Sequence, residues 1–370
     1  MTKQGGFKRA VRRRARESGL RYTEARAVME QASASPFART RPHDHDALVA
    51  HLEAHHGIRI TSMMPIDDDP TTRPHGSWPG HYPWTFVVRR EGGVPWIARV
   101  FSSAVDDVSR VLGDAEILRF LAAHGYPAER LADDDPVSVL DGKGVIVTEL
   151  VEGGRPTVSS EVHHELGSLL GRLHALPAGG GAVARDGGAE EHDGGFFVGR
   201  PGRDLSAAMS FLVSIEEAVA PEGRPTFERL RAAVEHADDA EGLPEALTHT
   251  NFHAWAAVGP PDDLVIVGWA GAGRGPRLPA LAWLLWTAAE ADRAAVDIVA
   301  RAYRAHVELT DEEVDRLAGV MAMRPLWLAC MDLREQVRRG PTPTPDQGWV
   351  GWRPEHAQRV AAQAAAALRT

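Results

Sequence analysis

The sequence predicts an α+β protein of two lobes, a small β-rich N-terminal lobe and a larger helical C-terminal lobe, preceded by a basic helical extension. Runs of β-branched and aromatic residues extend to about residue 150, and apolar residues recur at helical spacing beyond it. Before both lobes, residues 1–31 hold nine Lys or Arg and only three Glu. The predicted divisions are residues 1–41 (basic helical arm and linker), 42–150 (small lobe) and 151–370 (large lobe).

The N-terminal arm carries a charge opposite to that of the body. The net charge of −10 over 370 residues combines an arm of +6 with a body of −16. Gly19 separates two predicted short helices, residues 7–18 and 22–31. An acidic body argues against broad nucleic-acid binding. Two interpretations of residues 1–31 remain open: contact with an acidic protein or a nucleic acid, or a solvated helical segment that folds back onto the acidic body.

Cysteine content and hydropathy indicate the compartment. The single cysteine, Cys330, cannot form an internal disulfide, and no charged-then-apolar signal opens the chain. The longest apolar run, Leu278 to Ala289, contains Pro279 and is shorter than the roughly 20 residues needed to cross a bilayer. We therefore expect a cytoplasmic protein with no membrane-spanning segment.

The small lobe has a clear hairpin signal. Residues 84–101, "WTFVVRREGGVPWIARVF", contain two β-branched and aromatic runs around a Gly-Gly turn. A helix is predicted at "GDAEILRFLAAHG", with Gly125 as its stop. A further strand, "GVIVTELVEGG", leads into a hinge between the lobes near Glu149 to Gly154.

The large lobe is predicted from helical spacing and one further hairpin. In "HHELGSLLGRLHALP", leucines at 166, 169, 170 and 173 form one buried stripe. Residues 178–202 are glycine-rich and predict a surface loop. "THTNFHAWAAV" and "DDLVIVGW" predict a β-hairpin, and helices are expected from there to Arg369.

The order of these segments resembles the aminoglycoside phosphotransferase and choline kinase group, which has a protein-kinase-like fold. The similarity covers about residues 58–340. It is carried by five stretches in the expected order: "ILRFLAAHG", "VTELVEGG", "LGSLLGRLHALP", "LTHTNFHAW" and "LVIVGWAGAGRGPRLPALAWLLW". In that family the fourth stretch reads approximately His-Gly-Asp-Phe-His-Pro-Gly-Asn, and the last contains Ile-Asp-Trp.

The resemblance assigns three chemical positions, and all three depart from the family. The catalytic base aligns with Asn251, in the motif that His249 begins, and an amide is not a base near neutral pH. The two metal ligands align with Ala256 and Gly268, which offer no side-chain oxygen. Because Mg²⁺ takes hard oxygen ligands, bound Mg²⁺ is not expected. A compensating carboxylate such as Asp262 or Asp263 is the alternative left open.

The resemblance also implies a nucleotide site in the cleft between the lobes. The phosphate-pairing position is Arg99, with Glu116 as its expected helix partner or, second, Asp114. A loop at residues 76–86 would cover the nucleotide. Adenine would meet the backbone of the three hinge residues Glu149, Leu150 and Val151. We expect ATP or another nucleotide to bind weakly.

Other motifs are set aside. His249 and His253 lie four apart, but the glutamate of a zinc protease motif is missing. The stretch "GAGRGP" lacks the full dinucleotide-binding spacing. It is interpreted as the turn after the metal strand, by which we mean the strand in "DDLVIVGW" that leads to the aligned metal position Gly268. The histidine pairs at 55–56 and 163–164 are interpreted as surface clusters or helix starts.

The leading hypothesis is a pseudokinase: a bacterial binding or regulatory module that holds a nucleotide or another small molecule without turning it over. The first alternative is an active small-molecule phosphotransferase with a non-standard base or metal arrangement. The second is a nucleic-acid-associated protein that acts through its basic arm. Fold alone does not decide among them.

Overall fold

The computed structural model of the chain describes residues 45–66, 84–101, 108–184, 200–340 and 348–369. Three predicted features lie wholly or largely outside these ranges: the basic arm, most of the loop at 76–86, and most of the glycine-rich loop at 178–202.

The small lobe contains a five-stranded antiparallel sheet with strand order β1-β2-β3-β5-β4. Its strands are β1 (Ile60–Pro65), β2 (Trp84–Arg90), β3 (Trp96–Val100), β4 (Val137–Leu140) and β5 (Lys143–Glu149). The predicted hairpin is confirmed, with Phe86 opposite Ala98 and Thr85 opposite Arg99. The two edge strands were not predicted, because β4 has only four residues and β1 ends in a proline.

Two helices cover the two faces of this sheet. Helix α1 (His45–His56) packs on one face through Leu48 and Leu52, which join the small-lobe core. Helix α2 (Val108–Ala123) lies against the other face and buries Val111, Ala115 and Leu118 in the core of the large lobe. Gly125, at φ 64°, supplies the left-handed turn that ends this helix, as predicted. Helix α2 therefore packs against both the small-lobe sheet and the core of the large lobe.

The large lobe is mostly helical. Its helices are α3 (Ser160–His174), α4 (Pro201–Val213), α5 (Arg224–Glu235), α6 (Leu278–Ala291), α7 (Ala295–Arg304), α8 (Asp311–Arg339) and α9 (Pro354–Arg369). No helix within the described ranges is both long enough and apolar enough to cross a membrane.

Two short strand pairs interrupt the helices. Strand β7 (Ala257–Val258) pairs with β8 (Val265–Ile266), which confirms the predicted hairpin. Strand β6 (Glu245–Thr248) pairs with β9 (Gly273–Pro276). The interpretation of "GAGRGP" as a turn was therefore wrong for its last four residues, whose backbone is satisfied by pairing with β6 instead.

Helix α8 is anchored at its start, close to the strand pair β6–β9. Thr310 and Glu313 form a reciprocal capping box. The carboxylate of Glu313 also accepts two hydrogen bonds from the Arg277 guanidinium, at 2.7 and 2.8 Å. This Glu313 contact raises the pKa of Arg277. Because the N-terminal end of α8 is fixed, the positions of later residues of this helix, which contact the site between the lobes, are fixed as well.

Glycines allow helices α3 and α7 to pack at backbone distance. A Cβ added at Gly167 would lie 2.6 Å from the carbonyl oxygen of Val299, and one at Gly171 would lie 2.7 Å from that of Tyr303. Neither carbonyl oxygen can move without disturbing α7.

We expect Gly167→Ala to lower the free energy of unfolding by about 1–3 kcal/mol, since overpacking outweighs the better helix propensity of alanine. The measurement is chemical denaturation. Gly202→Ala in α4 is the matched control, because its Cβ would meet nothing within 4 Å. Equal effects of the two changes would contradict close packing of α3 on α7.

Candidate functional site between the lobes

One short segment, residues 126–131, lies between the two lobes and contacts both. The N–H of Ile266 donates to the carbonyl of Pro127 at 2.9 Å, and the N–H of Glu129 donates to the carbonyl of Ile266 at 3.1 Å. Two residues later, Leu131 bridges to Thr148 on β5. The segment therefore places the Glu129 side chain between the small-lobe sheet and the hairpin that carries the expected metal strand.

The Glu129 carboxylate is buried and contacts both sides of this junction. Its Oε2 accepts from the Arg99 guanidinium at 2.7 Å and from the Thr148 hydroxyl at 3.0 Å. Its Oε1 accepts from the backbone N–H of Gly268 at 2.9 Å. The side chains of Arg99 and Glu129 are 11% and 2% exposed. One carboxylate thus holds both the expected phosphate-binding arginine and the expected metal position.

The partner predicted for Arg99 was wrong. Arg99 pairs with Glu129, not with Glu116 or Asp114. Glu116 is exposed on α2, and its carboxylate lies beside Gly181 of the large lobe, 3.3 Å from where a Cβ would stand. It follows Asp114 by two residues and so faces a different side of the helix from that buried residue.

Asp114 makes a parallel contact with the same loop. Its Oδ1 accepts from the backbone N–H of Gly271 at 3.3 Å. Gly268 and Gly271 have φ of 85° and 76°. The successive N–H groups of Gly268 and Trp269 both donate to the Glu129 carboxylate, at 2.9 and 3.5 Å, and such paired amides receive anions. At the position where the resemblance leads us to expect a metal-binding carboxylate, this loop presents amide donors, and the neighbouring carboxylates are those of Glu129 and Asp114.

The base position is also surrounded by donors. The Oδ1 of Asn251 accepts from the Arg324 guanidinium at 2.6 Å, which orients the amide. Arg324 lies 4.1 Å from the ring centre of Trp283, in a cation–π contact. Burial lowers the pKa of Arg324 to about 9, and Asp204 on α4 acts in the opposite direction. An amide held by an arginine has no means of removing a proton from a hydroxyl group.

His249 supports the loop. The histidine is buried, and its Nδ1 accepts from the backbone N–H of Asn251 at 3.1 Å. Its Nε2 then carries the proton and lies 3.2 Å from the carbonyl of Val267, in the tautomer that these contacts require. Its ring meets Trp269 edge-on at 4.8 Å. Burial lowers its pKa to about 4, so at neutral pH it joins the loop to the metal strand as a neutral ring.

The remaining expected metal position offers only backbone groups. Ala256 is buried, and its carbonyl accepts from the N–H of Val267 at 2.8 Å. Asp262 and Asp263 are exposed in the turn between β7 and β8. Over the ranges described, no three His, Cys, Asp or Glu side chains gather as a metal site. The carboxylate near Gly268 is therefore Glu129, which no motif in the sequence indicated.

The hinge backbone is partly engaged. The N–H of Glu149 donates to the carbonyl of Arg130, and the N–H of Leu150 donates to that of Pro95, both at 2.8 Å. Within the described part of the chain, the N–H of Val151 has no acceptor. This N–H is therefore the hinge donor that remains for the adenine ring of a nucleotide.

His163 stands at a helix start, one of the two interpretations given for its pair, and His56 ends α1; the side chains of both are buried. His56 packs edge-on against Trp96 at 5.3 Å, and its Nδ1 lies 3.2 Å from the Asp133 carboxylate. His163 is 4% exposed in the first turn of α3. The sequence does not indicate that these two side chains are buried, because each residue is next to a second, exposed histidine.

The fold and its paired loops define a two-lobed, protein-kinase-like architecture, as predicted. Residues 80–318 match the phosphotransferase enzyme family, and the chain belongs to that family. Among curated proteins, none matches the sequence.

Two solved structures show the same fold. The amicoumacin kinase hAmiN, in complex with AMP-PNP, Ca²⁺ and Ami, superposes with a TM-score of 0.56 at 12% identity, covering 87% of this chain and 94% of that one. The spectinomycin phosphotransferase APH(9)-Ia, in complex with ADP and spectinomycin, has a TM-score of 0.56 at 12% identity, covering 88% and 99%.

The two candidate partners of Arg99 can be separated by stability. Glu129→Gln should lower the free energy of unfolding by about 3 kcal/mol, because it leaves a buried guanidinium without its counter-charge. Glu116→Gln, the matched control, should change it by less than about 0.5 kcal/mol. Denaturation at pH 7 measures both. A larger effect at Glu116 would contradict the Arg99–Glu129 pair.

His249 should make the fold sensitive to acid. Its pKa is about 4 when folded and 6.5 when unfolded, so between these values the unfolded chain binds the extra proton. Stability is therefore retained above pH 6.5 and falls toward pH 4, by up to about 1.4 kcal/mol per pH unit from this group.

The comparison uses denaturation at a series of pH values. His249→Gln should lower stability at pH 7 but reduce the loss on acidification. His124→Gln, which replaces an exposed histidine, is the matched control. An unchanged slope in His249→Gln would show that this ring is not buried in its neutral form.

Proposed function

We propose that this member of the phosphotransferase family is a pseudokinase, a binding or regulatory module whose cleft holds a nucleotide or other small molecule without Mg²⁺-dependent phosphoryl transfer. The observation that carries the proposal is the Glu129 carboxylate, which engages both Arg99 and the N–H of Gly268. Phosphoryl transfer depends on positioning and on neutralising phosphate charge. Here the groups at those two positions are already committed to a protein carboxylate.

The base position supports the same proposal. Asn251 has no basicity at neutral pH, and Arg324 holds its oxygen. Changing Asn251 to aspartate would supply a carboxylate, but that carboxylate would form an ion pair with Arg324. Restoring the family residue alone is therefore not expected to restore a general base.

The fold and the hinge both support a nucleotide as the ligand. The two structural neighbours were solved with AMP-PNP and with ADP. In this chain, the N–H of Val151, which has no acceptor among the described residues, offers a contact for adenine, while the phosphates must compete with Glu129 for Arg99. Binding should therefore be weak.

We expect ATP affinity to change by less than about threefold when Mg²⁺ replaces EDTA, because the two aligned metal positions, Ala256 and Gly268, carry no side-chain oxygen. Calorimetric titration measures this, and a hydrolysis assay runs beside it. Tenfold tightening by Mg²⁺ together with ATP turnover above a buffer blank would favour the active phosphotransferase instead.

That alternative has one specific observation in its favour. Glu129 is a buried carboxylate 2.9 Å from the backbone nitrogen of Gly268, where the family's metal ligand begins. If a nucleotide drew Arg99 away, this carboxylate could meet a cation. The arm-based nucleic-acid hypothesis concerns residues outside the described ranges.

Gly268 offers a gain-of-function test. The residue is exposed, and a Cβ there meets nothing within 4 Å, although its φ of 85° costs a side chain about 1–2 kcal/mol. Gly268→Asp should make ATP binding depend on Mg²⁺, by about tenfold. Gly268→Asn carries the same strain without the charge and should not.

The thermal stability of the two variants provides a second readout. Gly268→Asp should melt lower in EDTA than in Mg²⁺ with ATP, since its carboxylate lies near Glu129 and needs a cation. If both variants fold and neither gains dependence on Mg²⁺, the cleft has diverged beyond this position, and a ligand other than a nucleotide becomes the better hypothesis.

A further inference from the structure

A cluster of aromatic and hydrogen-bond-donating side chains adjoins the expected base position. Its members come from the link between the lobes, from the loop after β6, from α6 and from α8. We call the following six residues the donor cluster: Arg155, Asn251, His253, Trp255, Trp283 and Arg324.

These side chains form a continuous row. The Arg324 guanidinium lies 4.1 Å from the ring centre of Trp283. The His253 ring is 6.2 Å from that of Trp283 and 5.8 Å from that of Trp255. The Arg155 guanidinium lies 5.3 Å from the ring centre of Trp255. Arginines therefore stand near both ends of a run of three aromatic rings.

The hydrogen-bonding groups of the cluster are donors. Because the Oδ1 of Asn251 accepts from Arg324, its amide nitrogen is left to donate, and no described residue accepts from it. The buried indole N–H of Trp283 likewise has no acceptor within the described ranges. The Nδ1 of His253 accepts from the backbone N–H of Trp255 at 3.4 Å, so the ring proton is on Nε2. A ligand here must supply acceptors.

The charges around the donor cluster also favour a ligand that is an anion. Burial lowers the pKa of His253 well below its usual value, and the positive charges of Arg324 and Arg155 lower it further. One carboxylate, Asp204 on α4, acts on Arg324 from the buried side. The potential at His253 is therefore positive, which favours an anion over a cation.

Trp255 provides a flat surface. It is 52% exposed, and it is the aromatic residue among the large apolar side chains left exposed in the described ranges, the others being valines and a leucine. A half-open indole beside an arginine suits stacking with another planar ring.

We propose that the donor cluster binds a small anionic ligand with a flat apolar ring. The ring stacks on Trp255, and the carboxylate or phosphate accepts hydrogen bonds from the neighbouring arginine and amide donors. An aminoglycoside carries several ammonium groups, which would meet arginine instead of carboxylate, so this ligand belongs to a different class. The inference goes beyond the proposed function and does not depend on nucleotide binding.

The test is calorimetric titration without nucleotide or metal, using two probes with the same ring and opposite charges. Indole-3-acetate should bind saturably, and tryptamine should not. Phenyl phosphate distinguishes a preference for phosphate from one for carboxylate, and tighter binding of either anion supports the proposal. Equal binding of tryptamine, or no saturable binding of either anion up to about 10 mM, would overturn it.

Variants locate the binding. Trp255→Ala and Arg155→Gln should each weaken the tighter anion by about tenfold, because they remove the stacking surface and a charged donor. Arg231→Gln, which removes an exposed arginine on α5, is the charge-matched control and should have no effect. Trp255 is exposed, so its replacement should leave the melting temperature nearly unchanged. Unaltered affinity in both cluster variants would place the anion elsewhere and contradict the proposal.

Discussion

The geometry between the lobes depends on the buried carboxylate of Glu129. A buried charge is stable only when it is paired and hydrogen-bonded. Glu129 meets this requirement through one guanidinium, one hydroxyl and two backbone amides, drawn from β3, β5 and the loop after β8. The same contacts fix the position of the small-lobe sheet relative to the hairpin of the large lobe. The carboxylate that pairs with Arg99 thus also fixes the position of the two lobes relative to each other.

In this chain, hydrogen-bond donors surround positions where the resemblance leads us to expect oxygen ligands and a base. The resemblance places an aspartate at the base position and an asparagine and an aspartate at the metal positions, whereas the aligned residues of this chain are Asn251, Ala256 and Gly268. The structure surrounds those positions with donors, namely the N–H groups of the 268–271 loop and the guanidinium of Arg324. A site of donors favours anions over metal cations. The proposed loss of metal-dependent transfer and the proposed anion site are two consequences of the same change.

The sequence predicted what depends on local pattern. Strand β5, the β2–β3 hairpin, the stop of α2 at Gly125 and the leucine stripe of α3 follow from spacing within a few residues, and the family follows from motif order. Glu129 could not be predicted because it lies between elements, and its role depends on contacts with residues 99 and 268, far along the chain. Glu116 looked like the partner of Arg99 because only its place on α2 was known. Strand β9 was missed because glycine and proline indicate a turn until a pairing strand is seen.

The most direct test is a double-mutant cycle on ATP affinity with Arg99→Met, Glu129→Gln and the double variant, titrated calorimetrically in EDTA and in Mg²⁺. If Glu129 occupies the place of phosphate and metal, Glu129→Gln should tighten ATP by several-fold, and the gain should disappear when Arg99 is also replaced. If Glu129→Gln instead weakens ATP binding, and does so only in Mg²⁺, Glu129 is a metal ligand and this chain is an active phosphotransferase with a relocated carboxylate.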